Sequence, residues 1–178
     1  AVHSKWRHWS RTTWSRPLLV GLVLVTSEPI EPELVDELRE RIPALEGKLK
    51  EEFHRYRPSP DHPFEFVVLG PALMQEAPPP TPEEGIWEAV RFAYGLYQWT
   101  SRVDRRLGIP GGGCDVRVYV VAHKPVTNAV RFVEGRSQQG GELGIVEVDL
   151  DHDTTDWALY VATHELLHTL WATDKYDD

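Results

Sequence analysis

The nine residues Leu18 to Thr26 contain no charged side chain, and Thr26 is the only polar one. An apolar run of strand length and this continuity leaves no face for water. It predicts a strand covered on both sides, as in a largely parallel sheet. Phe64 to Leu69 and Cys114 to Ala122 repeat the signal, the second after the turn Gly111-Gly112-Gly113. Between these stretches lie two segments with helical spacing. Pro32 to Tyr56 carries Leu34, Leu38, Ile42, Leu45, Leu49 and Phe53 on one face, with Pro43 as a point of bending. Pro82 to Leu107 is expected to turn Ile86, Val90, Ala93, Tyr94, Tyr97 and Val103 inward. The β-α-β-α-β order implies an α/β layered domain with right-handed crossovers.

After Ala122 the rhythm changes. Ala129 to Phe132 and Leu143 to Leu150 are short β-like runs joined by a loop, Gly135 to Gly141, with no helix between them. They should pair antiparallel and supply an edge strand, whose unpaired backbone groups suit an extended peptide. The expected fold class is therefore α/β, with a mixed, mostly parallel sheet of roughly four or five strands and an antiparallel edge strand. A backing helix, an extra helix and a helix near the C-terminus that bears the candidate site complete it.

Residues 17–178 read as one domain, and the proline-rich stretch from Ala77 to Pro82 reads as a stiff connector within it. Residues 1–16 are set apart by Lys5, Arg7, Arg11 and Arg16 among Trp6, Trp9 and Trp14. This basic, tryptophan-rich segment suits either a membrane surface or packing on the domain, and it inclines the localisation towards exported or membrane-associated. The net charge of −9 argues against a nucleic-acid partner. The single cysteine, Cys114, excludes an internal disulfide; it reads as a small buried hydrophobe, with a metal-capping thiolate as the alternative.

The chemistry concentrates near the C-terminus. Asp151 to Asp156 supplies several N-cap candidates, and the helix that follows is strongly apolar through Trp157, Tyr160, Val161, Leu167 and Leu170. A helix of this kind is buried, yet it carries His164, Glu165 and His168. The two histidines stand one turn apart and can aim both imidazoles at a single ion, while Glu165 lies about 100° round the helix and can reach a water without becoming a ligand. Zinc acidifies such a water, Glu165 takes its proton, and the reaction class is amide hydrolysis. A chance match to the pentapeptide in a chain of this composition is about 3%, so its context has to carry the assignment. The competing reading is two hydrogen-bonded core histidines beside an exposed Glu165. For a third ligand Asp174 is preferred over Asp177 and Asp178, with Tyr176 as a contact to substrate.

The stretch from His164 to Asp174, HELLHTLWATD, resembles the extended H-E-x-x-H-x-x-G-x-x-H/D signature of the metzincin zinc peptidases, in the snapalysin-like version with aspartate as third ligand. The resemblance implies a metzincin-like N-terminal subdomain, with Zn²⁺ held by His164, His168 and Asp174 and Glu165 as catalytic base. A peptide or protein substrate is then expected along the Leu143 to Leu150 region, with Gly144, Ile145 and Val146 as contacts. Trp171 stands where the family has glycine, and Met74 is the only methionine, so the family's C-terminal subdomain with its methionine turn is expected to lie outside these residues. The implied function is that of a zinc-dependent endopeptidase; an inactive, metallopeptidase-like binding or envelope protein is the alternative.

Overall fold

The computed structural model describes residues 13–82, 85–125, 133–137 and 141–173. Among these residues it is an α/β fold built on one five-stranded sheet and three helices. The strands are β1 (Leu18–Thr26), β2 (Phe64–Leu73), β3 (Val116–His123), β4 (Val133–Ser137) and β5 (Leu143–Asp149). The helices are α1 (Pro32–His54), α2 (Ile86–Leu107) and α3 (Thr155–Thr169). The sheet order is β2-β1-β3-β5-β4, parallel throughout except for the β4–β5 pair. The mixed, mostly parallel sheet with an antiparallel edge strand is thus as the hydrophobic pattern predicts. None of the described helices is long and apolar enough to cross a membrane.

The alternation of side chains along each strand divides the core in two. Val20, Leu22 and Leu24 of β1 join Val116, Val118 and Val120 of β3 and Val146 and Val148 of β5 on the face covered by α1 and α3. Val23, Val25, Tyr119, Val121 and Ile145 face the other way, under α2. Helix α1 turns in the face its spacing predicts, with Leu34, Leu38 and Ile42 buried, and it continues through Pro43. Trp14 packs on this helix and on β2 through ring contacts to Phe53 and Phe64.

Helix α2 departs from expectation. Ile86, Val90, Tyr94 and Tyr97 are exposed, and the inner face is made by Leu96, Trp99, Val103 and Leu107. Val103 is buried as expected, while the other expected residues form a second apolar stripe of helical spacing, so periodicity alone cannot choose the buried face. The choice falls to Trp99, whose Nε1 donates to Glu76 O at 2.9 Å while its ring meets Tyr119 edge-on at 5.5 Å. Tyr119 in turn donates to Asp104 of α2 at 2.9 Å, and burial pushes its phenol far above the ordinary range. A second correction concerns β4. The expected strand over residues 129–132 lies outside the described residues, and a strand is found at Val133–Ser137, where the sequence predicts a loop from Gly135 onward. Pairing with β5 overrides the weak strand propensity of Val-Glu-Gly-Arg-Ser.

A polar clasp joins the start of α3 to α1. Glu37 bonds His152 Nδ1 and Arg41, and Arg41 also pairs with Asp156 at 2.5 Å. The bond to Glu37 raises the His152 pKa, and the bond from His152 is the main influence lowering Glu37. Because the folded value of His152 lies above its unfolded value, the clasp is complete below about pH 6.5 and is lost as pH rises through the folded value. The melting temperature of the wild type is therefore expected to fall more between about pH 6 and 8.5 than that of His152→Ala. Scanning calorimetry at both pH values checks this, and parallel slopes would remove the clasp from the account.

Candidate metal centre and hydrolytic cleft

Helix α3 begins from a turn built by Asp151 and Thr154. Asp151 Oδ1 accepts from the backbone N–H groups of Asp153 and Thr154, and Thr154 Oγ1 accepts from Asp151 N at 2.8 Å while donating to Asp149 O at 2.7 Å. These bonds close the turn that leads into the helix, while the N-cap residue Thr154 makes no side-chain cap bond to the first helical turn. Ala158, Ala162 and Leu166 then bury one side of the helix against the sheet. The opposite side is open along Trp157, Tyr160, Leu167 and Trp171, all exposed, and His164 and His168 stand in the same stripe. An apolar helix with both faces apolar thus lies on the sheet with its histidines at the boundary.

The two imidazoles converge. Their Nε2 atoms are 3.0 Å apart and the rings meet at 87°. His168 Nδ1 donates to Ala172 O at 2.9 Å, and since a carbonyl can only accept, Nδ1 carries the proton and Nε2 presents its lone pair towards His164. Either His164 donates an Nε2–H to that lone pair, or a metal ion stands between the two nitrogens. Ligands about 2.0 to 2.1 Å from a tetrahedral zinc stand roughly 3.3 Å apart, close to the separation found. His164, Glu165 and His168 can each place one ligand atom within 4.8 Å of the others. These residues therefore fit a divalent transition metal, and the backbone bond on His168 is the kind of outer contact that fixes a metal-binding tautomer.

Glu165 is 4% exposed. No described residue donates a hydrogen bond to its carboxylate. The competing sequence reading, with an exposed glutamate beside core histidines, thus does not match its surroundings. The three side chains line a cleft of about 440 Å³ whose other walls are Gly135, Arg136 and Ser137 of β4 and Ala172 and Thr173 beyond the helix. On the far side of the sheet Arg136 pairs with Glu147 of β5 at 2.7 Å, which fastens this short edge strand.

The expected substrate contacts Gly144, Ile145 and Val146 need correction. They lie on β5, which pairs with β3 on one side and β4 on the other, and Ile145 and Val146 are buried. Their backbone groups are already committed to the sheet, so no added strand can pair there. Among the described residues β4 is the outermost strand on this side, and its outer edge is the one beside the cleft. Gly135, Arg136, Ser137, Ala172 and Thr173 were missed. The signal for Gly135 is a glycine inside a strand, which marks close approach by another group. Asp174 and Tyr176 lie outside the described residues, as does most of the basic segment 1–16. Cys114 packs beside Gly21 and Arg117 on the α2 side of the sheet, away from the cleft, and burial raises its thiol pKa.

Trp171 adopts φ +73°. Its N–H bonds His168 O at 3.0 Å and the next N–H, of Ala172, bonds Leu167 O at 3.0 Å, the paired bonds of a Schellman turn with tryptophan in the glycine position. The turn carries Ala172 O back to His168. A bulky residue in this conformation costs about 1 to 2 kcal/mol. Trp171→Gly relieves that strain against a smaller loss of unfolded-state freedom and is expected to stabilise the fold by up to about 1 kcal/mol. Urea denaturation measures this, and a destabilised variant would show that the indole holds more than the strain costs. No protein-family model, curated protein or solved structure matches the chain.

Proposed function

We propose that the protein is a zinc-dependent endopeptidase that hydrolyses peptide bonds in the cleft between α3 and β4. The observation that carries this reading is the 3.0 Å convergence of His164 and His168 Nε2 beside the buried Glu165 carboxylate. His164 and His168 would hold the metal, with Asp174 as the proposed third ligand. When bound, zinc supplies Lewis acidity, which acidifies water and polarises a carbonyl. Glu165 accepts a proton from the attacking water as its oxygen bonds the scissile carbonyl carbon. It then returns that proton to the amine nitrogen as the C–N bond breaks. His168 keeps its orientation throughout because Nδ1 is committed to Ala172 O. An extended peptide adds to the outer edge of β4, which supplies backbone donors and acceptors beside the base.

A second reading is a metal-holding protein without turnover, which binds a partner through the exposed stripe Trp157, Tyr160, Leu167 and Trp171. One set of measurements separates the two. The zinc-loaded protein is expected to cleave an unstructured peptide, and Glu165→Gln should keep its zinc while kcat falls by about 100- to 10,000-fold. His168→Ala should lose zinc. Zinc binding without any cleavage would move the assignment to the second reading, and native protein without zinc affinity would end both.

A further inference from the structure

We infer that Gly135 is a positioning residue for Glu165: the volume its missing side chain leaves is the volume the carboxylate occupies, so edge strand β4 sets where the base stands. A Cβ on Gly135 would lie 2.3 Å from Glu165 Oε1 and 2.8 Å from both Cδ and Cγ. No atoms approach so closely without one of them moving. A Cβ on Gly144 of the adjoining strand would lie 3.1 Å from Glu165 Cβ, so the two glycines together receive the whole side chain. Gly135 is not in the left-handed region, so backbone geometry does not call for glycine there. The requirement is room for one particular side chain.

The glutamate cannot yield by shifting its helix. Ala158, Ala162 and Leu166 hold α3 against the sheet at 1% exposure or less. An added methyl at 135 therefore drives the carboxylate outward into the cleft, away from its place beside the imidazoles. In rate terms this rests on the hydrolytic reading, because only there does the displaced carboxylate cost turnover. The strand that receives the peptide backbone is then also the strand that locates the base, so substrate and base share one reference.

Thermal unfolding of the metal-free protein tests the cradle without reference to activity, in a cycle of Gly135→Ala, Glu165→Ala and the double variant. Gly135→Ala is expected to lower the melting temperature, because Glu165 has to leave its seat, while the same substitution on the Glu165→Ala background has almost no effect. An equal loss on both backgrounds overturns the cradle. If Gly135→Ala folds, its zinc affinity should stay within about threefold of wild type while kcat falls on the order of 100-fold with KM little changed, the expected cost of roughly 1 Å of misplacement. Unchanged kcat in a cleaving protein overturns the positioning role. A protein that binds no zinc and cleaves nothing refutes the hydrolytic reading instead, and the unfolding cycle still decides whether Gly135 makes room for Glu165.

Discussion

The close approach of α3 to the sheet edge is the constraint from which the cleft follows. Ala158, Ala162 and Leu166 bring the helix down onto β3 and β5, and that proximity presses the side chain at position 165 against the backbone of β4 and β5. A glutamate can be carried there only if the strands present no side chains, which is what Gly135 and Gly144 do. The same packing leaves His164 and His168 on the rim, where they are half-buried and face one another. An apolar helix of fifteen residues thus delivers a carboxylate inward and two imidazoles to the opening. Burying a carboxylate against a sheet is costly unless it meets water or a cation, and the cleft supplies the access to both.

The end of the helix contributes as much as its packing. The turn at Trp171 returns the chain so that Ala172 O reaches His168 Nδ1, and this sets the tautomer that leaves Nε2 free of its own proton. Glycine is the residue that adopts such a turn without strain; here tryptophan does so, with two backbone hydrogen bonds holding it in place. Strain kept at a site is commonly linked to what the site does. The carbonyl that orients the histidine exists only because the chain doubles back here.

Much of this was legible in the sequence, and the illegible parts have definite causes. The uninterrupted apolar run of β1 and the leucine spacing of α1 encode their elements locally, so both stand within a few residues of expectation. The pair of histidines one turn apart is likewise a local signal. The buried face of helix α2 is not legible in the sequence because it carries two apolar stripes, and only the tertiary partners Glu76 and Tyr119 of Trp99 decide which one is buried. Strand β4 is not legible because Val-Glu-Gly-Arg-Ser has no pattern of its own and takes its form from β5. The cleft wall went with it, since a strand taken for a loop gives no reason to ask what Gly135 admits.

The position of β4 also decides which backbone can meet a ligand. An interior strand such as β5 spends its donors and acceptors on both neighbours, whatever its sequence. Only the last strand of a sheet retains a free row, and proteins ordinarily blunt such an edge by keeping it short or charged. β4 is short, and it carries Glu134 and Arg136, but Arg136 is drawn to Glu147 on the α2 side and so does not shield the face towards α3. On that face Val133 packs into the core, and Gly135 and Ser137 stand beside two imidazoles and a carboxylate. Among the described residues the strand is held from behind and carries small side chains beside the cleft, an arrangement that suits the proposed approach of an extended chain to Glu165.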